Sequence, residues 1–569
     1  MIGMRAGFPC RLRHGFTSVR GARWGAALGL LALVTALGCA AKAPSGSVSE
    51  DRADEGATDK PIVPPGPTPP DGKWLTDDQG RQYFVEKLPR TQARRIDANT
   101  VRTVWSIPID VVREDEQYFY YKLYRVPDEP VPAVPSGPSA AELARTEASY
   151  RVDLPVGKPM RFQDFGKGLP KEGQWREGFA IADMNHDGHL DLVHGPARKS
   201  FGAPAIFLGD GAGSWKRWQG VDWPKLAYDY GDVQVGDLDG DGHADIALAV
   251  HLCGLMVLLG DDAGHFRDGG AGLDFGVPGH GSPPGFSSRR LRLTDWDHDG
   301  HTDILALGEG PRLLPAMRAK DSRQAASGAH GLVLYRRGAD GRWQRTDQGT
   351  DSQQNFGPAL ALADFDGDGR TDIAAGTGFY GRRDLVSLGQ PDGSWRAEEV
   401  PVLRANAYVK AVAAADIDGS GRAALAVGYL SFDGEMWRTG VDVLRRTAAG
   451  EWSRAALAVA EATPSVHALA FGDVDGDGVR ELVAVTEDGS AWLFRGRAGG
   501  AFERVPAGIP QHPDKCSAAH VEVVDLDGDG RGEVIESFAD EVDPGPAGDR
   551  RECPSEGGIQ AWKLAERGD

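Results

Sequence analysis

The chain has 569 residues and carries 83 acidic against 63 basic side chains, so its formal net charge is −20 at neutral pH. That sign argues against a partner rich in phosphate, whether nucleic acid or an anionic lipid surface. With 41% hydrophobic residues the chain can bury a sizeable core and does not read as disordered overall.

The first segment combines scattered arginines (Arg5, Arg11, Arg13, Arg20, Arg23) with the apolar run WGAALGLLALVTALGCAA. A basic start, an apolar stretch and small residues at its end describe a secretory signal. Cys39 follows Ala36-Leu37-Gly38, and ALGC resembles a bacterial lipobox, although leucine is more usual where Ala36 stands. The resemblance implies a signal over residues 1–39 and lipid on Cys39; plain cleavage and an uncleaved anchor are the alternatives. Residues 40–72, with IVPPGPTPPDG, read as a tether without a core. The expected location is therefore the bacterial cell envelope, facing the periplasm or the exterior, with membrane contact through the lipid alone.

Residues 73–126 read as a small β-rich unit. WLTDDQGRQYFVEKL forms a hairpin about Asp78–Gly80, and VRTVWSIPIDVV and QYFYYKLYRV add strands. The aromatics Tyr118–Tyr121 are expected in its core rather than on a ligand platform. A proline-rich linker, 127–154, leads to the main domain, residues 155–565.

That domain is dominated by a repeated acidic loop. The copies are DMNHDGHLD from Asp183, DLDGDGHAD from Asp237, DWDHDGHTD from Asp295 and DFDGDGRTD from Asp364. DIDGSGRAA from Asp416, DVDGDGVRE from Asp473 and DLDGDGRGE from Asp525 complete the set. Successive first aspartates are 54, 58, 69, 52, 57 and 52 residues apart. Seven copies at this period exclude a chance run of solvated turns and indicate a repeat architecture.

Crowded carboxylates call for a cation, and hard oxygen donors suit calcium. Zinc would want Cys or His, and the stretch GDLDGDGHADIAL offers no such cluster. The expected side-chain ligands stand at positions one, three, five and nine. They are Asp183, Asn185, Asp187 and Asp191; Asp237, Asp239, Asp241 and Asp245; Asp295, Asp297, Asp299 and Asp303; Asp364, Asp366, Asp368 and Asp372. Asp473, Asp475, Asp477 and Glu481, then Asp525, Asp527, Asp529 and Glu533, follow the same pattern. The carbonyl at position seven adds a fifth ligand, from His189, His243, His301, Arg370, Val479 or Arg531. Loop five keeps only Asp416 and Asp418, because Ser420 and Ala424 replace two carboxylates, so about six calcium sites are expected. Twenty-five of the twenty-eight positions are carboxylates, so the net charge is mostly a metal-site signature. Loop seven also fits an EF-hand, with Glu536 at position twelve, but Leu248 and Ala375 stand there in loops two and four. An EF-hand needs flanking helices, whereas FAIAD, LRLTD and VEVVD alternate with period two, as strands do.

Each repeat places a strand before the loop, a second after it (DIALAV, ELVAVT), a third (GLMVLLG, SAWLFRG) and an aromatic-marked fourth (SWKRW, AFERV). Four antiparallel strands per repeat read as propeller blades. The last repeat lacks its fourth strand, and RFQDFGKGLP at 161–170 is close to AFERVPAGIP at 501–510. Arg161–Phe165 is therefore expected to complete blade seven and remove an open edge.

The pattern over about 155–565 resembles the FG-GAP/VCBS repeat family, whose best-known members form the integrin alpha-subunit propeller. The weak FG and GAP tripeptides bring it nearer the bacterial VCBS type. The resemblance implies an all-β, seven-bladed β-propeller with DxDxDGxxD calcium loops on one face. It also implies ligand or partner binding on the opposite face or rim.

On that opposite face, loop position suggests a disulfide between Cys516 and Cys553, while Cys253 reads as a buried thiol. Long connections at 220–232, 269–285, 310–330 and 429–440 are expected there too. His194, His251, His467 and His520 lie near the same side and read as unrelated structural histidines rather than one acid–base site. Two functions fit. The first is a lipid-anchored binding or scaffold module for an unknown protein or glycan. The second is a surface enzyme acting on polysaccharide, with Trp223, Tyr228, Tyr230, Tyr380 and Trp437 as sugar platforms. No nucleophile motif or phosphate loop supports catalysis directly.

Overall fold

The computed structural model describes residues 73–124 and 152–565, apart from 274–287, 309–330, 347–354, 378–384, 402–406, 433–436, 541–552 and some shorter gaps. Residues 1–72 with Cys39, most of 127–154, Tyr380 and the 310–330 connection lie outside the described residues. Among the described residues there is no α-helix, and so none long and apolar enough to cross a membrane.

Seven four-stranded antiparallel sheets follow one another along the described chain, the blades of a β-propeller. Blade two is typical: Val233–Gly236, Asp245–Val250, Gly254–Leu259 and Arg267–Asp268, paired in chain order. Its middle strands, DIALAV and GLMVLL, are buried at every residue. A strand covered on both faces need not alternate apolar with polar, which is why these stretches read as continuous apolar runs.

The alternation survives as a choice of neighbour. Ile246, Leu248 and Val250 pack with Val193 and Ile206 of blade one. Ala247 and Ala249, from the same strand, pack with Leu291, Ile304 and Val333 of blade three. Equivalent clusters join blades three to four, four to five, five to six and six to seven. The seventh cluster returns to the start: Leu526, Ile535 and Ala561 of blade seven pack on Phe179, Leu192 and Phe207 of blade one. Seven interfaces for seven blades make the ring closed, and no single sheet owns a core of its own.

Closure is also made by backbone hydrogen bonds between the two ends of the domain. Blade seven holds Ser517–Val524, Glu533–Ala539 and Gly557–Leu564, and its outer strand is Phe162–Asp164 from the start of the domain. The register pairs Trp562 with Asp164 and Leu564 with Phe162. Backbone bonds from Phe165 to Ala561 and from Ala565 to Arg161 extend the pairing by one residue each way. Phe165 then enters the blade seven–blade one core, and Met160 enters the blade six–blade seven core.

The hairpin of blade five departs from the expected long connection at 429–440. Ala424–Phe432 and Trp437–Arg446 are paired strands that leave only four residues between them. The β-propensity of YLSF continues the second strand, so this segment is scaffold rather than a free loop.

Residues 75–124 form a separate six-stranded sheet with Leu88, Val101 and Phe119 buried in it. Phe119 fills the core as expected, while the neighbouring Tyr120 hydroxyl donates to Asp115 at 2.8 Å and Arg113 lies over its ring at 3.7 Å.

Deleting residues 155–166 strips one edge pairing and two core side chains. The expected outcome is a lower Tm and concentration-dependent oligomers in sedimentation velocity, because the bare edge of Gly557–Leu564 can pair with another chain. An unchanged Tm and a monomer would show that the ring does not depend on this strand.

Candidate metal centres and the opposite face

All seven acidic loops adopt one conformation, and its hydrogen bonds explain the sequence. The position-one aspartate accepts the N–H of the position-six glycine in every copy, from Gly188 on Asp183 at 2.9 Å to Gly530 on Asp525 at 2.9 Å. That glycine has φ between 77° and 89°. At Gly188, Gly242 and Gly300 a Cβ would meet nothing within 4 Å, so backbone conformation rather than space requires glycine there. The position-five side chain accepts the N–H of position seven in every copy, including Ser420 Oγ from Arg422 at 3.2 Å. Loop five therefore keeps the turn despite its lost carboxylates.

Position nine begins the second strand and is buried. Asp245 accepts from Leu238 N–H at 2.8 Å with one oxygen and from Gly260 N–H of the third strand at 2.8 Å with the other. Asp191, Asp303, Asp372 and Glu481 repeat this double bond, and Glu533 accepts from Leu526 at 2.7 Å. Burial pushes Asp191, Asp245 and Asp303 up to about 6, Asp372 to about 7 and Glu481 to about 8, with neighbouring loop carboxylates adding to the rise.

The loops bring their expected ligands together. Oxygens of Asp237, Asp239 and Asp245 lie within 4.8 Å of one another, as do those of Asp364, Asp366 and Asp372, and of Asp473, Asp475 and Glu481. In loop three the trio is Asp295, Asp297 and Asp299. Asp239 Oδ1 and Asp475 Oδ1 are buried with no hydrogen-bond donor. An unmatched buried carboxylate oxygen is costly, and these two fit an oxygen-seeking cation. Glu536 is not part of any loop: it lies fully buried in the second strand of blade seven, accepts from Trp562 Nε1 at 3.1 Å and is pushed up to about 8 by burial.

The sequence reading missed a second set of residues. On the third strand, the residue opposite position nine is Leu208, Leu259 or Leu388 in blades one, two and four. In blades three, five, six and seven it is Arg336, Arg445, Arg495 or Lys563. Arg336 reaches Asp297 at 3.0 Å, Arg445 approaches Asp418 at 3.9 Å, and Arg495 binds Asp475. Lys563 binds Asp527, reaches Asp529 at 2.7 Å and Glu533 at 3.2 Å. Four loops thus carry a tethered counter-charge at position three. Aligning the third strands on their exit turns (FLG, LLG, YRR, SLG, LRR, FRG, WKL) would have revealed it.

On the other face the structure separates what the sequence grouped. The four histidines do not converge on one site, although His194 and His520 both pack on Phe179. His194 is fully buried edge-on to Trp175 at 5.2 Å, and burial pushes it down to about 4. His251 stacks beside Tyr230 at 4.7 Å, His467 meets Ser517 Oγ at 3.1 Å, and His520 meets Glu522 at 3.0 Å. Tyr230 is buried core rather than a platform. Trp223 stacks on Phe266 at 4.6 Å and, with Trp218, Arg217 and Gln219, lines a pocket of about 230 Å³ at the rim of blade one. The side chain of Trp437 lies outside the described residues. Cys516 and Cys553 form a disulfide with Cα atoms 5.0 Å apart, tying the entry to blade seven to its second-to-third-strand connection. Cys253 is buried in the blade one–blade two core.

These features define a class: a repeat β-propeller whose blades each carry an acidic turn between first and second strands. The chain carries FG-GAP-like repeats, with residues 364–427 and 473–535 matching that family. No curated protein matches the chain. Two crystal structures of BBS1N in complex with ARL6DN, soaked with mercury or with lead, are similar at 10% and 9% identity with TM-scores of 0.39 and 0.38. Each alignment covers 72% of this chain and 98% or 99% of the other.

The pKa shifts at position nine predict a pH effect with a definite sign. The folded values, about 6 to 8, lie above the ordinary 3.8 of Asp and 4.5 of Glu, so the metal-free fold holds protons that the unfolded chain releases. That contribution is present at low pH and is lost as pH rises through about 6 to 8. In EDTA, Tm should therefore fall between pH 5.5 and pH 8, and saturating calcium should remove or reverse the fall. A Tm that rises with pH in EDTA would contradict the assignment.

Proposed function

We propose that this protein is a lipid-anchored, calcium-stabilised β-propeller of the bacterial envelope that binds a protein or glycan partner. The fold and its repeats fit a binding or scaffold module, and one observation carries the metal. Loops two, four and six converge carboxylates on a buried position-nine acid, loop three converges three further aspartates, and Asp239 and Asp475 carry unmatched oxygens. Calcium fits because all the side-chain donors are oxygen, and calcium accepts oxygen ligands in flexible geometry. The demand is greatest in loops one, two and four, where leucine faces position nine. In loops three, six and seven the tethered Arg or Lys competes for the same carboxylates. Loop five has both a tethered arginine and two missing ligands, so it holds metal least.

Antiparallel order puts the acidic turns on one face and sends the second-to-third and fourth-to-first connections to the other. Partner binding is assigned to that second face and its rim, where Trp218 and Trp223 offer aromatic surface beside Arg217 and Gln219. The calcium face serves stability. The anchor rests on the ALGC stretch ending at Cys39.

Differential scanning should show that EDTA lowers Tm, that calcium restores it and that magnesium does so poorly, because magnesium demands a smaller octahedral shell. One site at a hundredfold excess over Kd contributes about 2.7 kcal/mol, so several acting on one cooperative ring give a large shift. Asp239→Ala should reduce the calcium-dependent gain more than Asp418→Ala. Equal effects of the two, with no response to EDTA, would reduce the loops to ordinary acidic turns.

Membrane fractionation tests the anchor. Cys39→Ala should release the protein, and wild type should carry lipid mass on its mature N-terminus. The released form, screened on a glycan array with and without EDTA, tests the partner class; glycan binding that vanishes on Trp223→Ala would assign the rim pocket.

A further inference from the structure

Two imidazoles and a carboxylate meet at the junction of blades one and two, outside every acidic loop's own ligand set. His186 stands at position four of loop one and His243 at position seven of loop two. Asp262 lies in the turn between the third and fourth strands of blade two. His186 Nδ1 is 2.6 Å from Asp262 Oδ2 and His243 Nδ1 is 2.5 Å from the same oxygen. All three ligand atoms lie within 4.8 Å of one another. We propose that His186, His243 and Asp262 form a site for a divalent transition metal of the zinc class, separate from the oxygen-lined loops.

The chemistry selects the ion. Imidazole nitrogen with one carboxylate suits zinc, cobalt, nickel, copper or iron, whereas calcium takes oxygen. His243 is placed in its loop by its backbone, which donates to Asp241 at 3.0 Å, so its ring is available to a second metal. A tetrahedral ion with bonds of about 2.0–2.1 Å spaces its ligands roughly 3.3 Å apart. The three groups therefore need to open by less than about 1 Å, and both imidazoles are partly exposed and able to move. Two protein nitrogens and one oxygen leave a coordination position facing solvent, for water or a partner's side chain.

The repeated turns set the backbone at both positions. Position four is a glycine with φ of 73–80° in five loops and a histidine in the other two, His186 at φ 53° and His298 at φ 57°. Asp262 has φ 56°, where blade one has Gly211 at φ 64°. Both side chains thus stand at left-handed turn positions, which His and Asp tolerate, at the two places where they reach His243. The alternative is a metal-free clasp in which both rings donate an N–H to one oxygen.

Cobalt titration of the tag-free full chain in millimolar calcium distinguishes the two. One equivalent should give the visible bands of a low-symmetry, four-coordinate Co²⁺, and zinc but not calcium should displace it. His186→Gly and Asp262→Gly each introduce the residue that equivalent turns carry, so folding should persist. Each should weaken zinc affinity about tenfold or more, with the calcium-dependent Tm gain intact. Absence of the cobalt spectrum, its displacement by calcium, or unchanged zinc affinity in both variants would overturn the site.

Discussion

The structure depends on one carboxylate in six of its seven blades, the acid at position nine, which blade five replaces with Ala424. It opens the second strand, where apolar neighbours bury it, and its two oxygens tie the loop's second residue to the third strand. Asp245 does this through Leu238 and Gly260, and Asp372 through Phe365 and Gly389. Two backbone N–H groups that would otherwise be orphaned beneath the turn are thereby satisfied. The same burial makes the charge expensive, which is why these acids sit well above their ordinary range. An ion-free fold can keep them protonated, and an ion-loaded fold can keep them ionised; neither state leaves the charge bare.

The blades meet that cost in different ways. Lys563 places an ammonium among Asp527, Asp529 and Glu533, and Arg495 does the same for Asp475. A tethered cation neutralises without any ligand entropy but fixes only part of the oxygen shell, and it must be displaced before a metal can take the site. Where leucine stands instead, as at Leu259, nothing from the third strand competes, although Arg267 from the fourth reaches Asp239 at 2.6 Å from a largely exposed position. The ring therefore combines built-in counter-charge with sites of higher metal demand, and the divide runs through single residues at one register position.

Much of this was legible in sequence because the repeat is read seven times. Turn glycines at positions four and six, the buried acid at nine and the closing strand near Phe162 all follow from spacing and pattern. Residues that meet through register were not legible. Arg336 and Asp297 lie 39 positions apart in the chain yet meet at 3.0 Å, and no local motif marks them. His186 and Asp262 were hidden for the same reason, since they belong to different blades. The 429–440 segment misled because SFDGEMW carries turn residues at its centre while its flanks remain strand. Histidines near strand ends could be counted but not aimed: His194 and His520 pack on Phe179, while His251 lies beside Tyr230 and His467 meets Ser517.

The side of the ring away from the acidic turns is held by a different device. Asp232 is fully buried; burial alone would raise it, but Arg290 at 3.1 Å and Arg292 at 2.9 Å more than reverse that and hold it below the usual carboxylate range. Arg290 also donates from Nε to the Pro358 carbonyl at 2.6 Å, and its other nitrogen lies 3.9 Å from Glu177. Residues from the entries of blades one, two, three and four thus share one ion-paired network. Removing a single member would strand a buried charge, a loss of about 3–5 kcal/mol where such pairs are broken. Gly178 belongs to the same arrangement, because a Cβ there would fall 1.8 Å from Asp232 Oδ1. Charged groups so fully committed to one another are fixed points of the scaffold rather than an acid–base pair awaiting a substrate. Under the proposed function, recognition is then left to the connections and the rim of a scaffold fixed in this way.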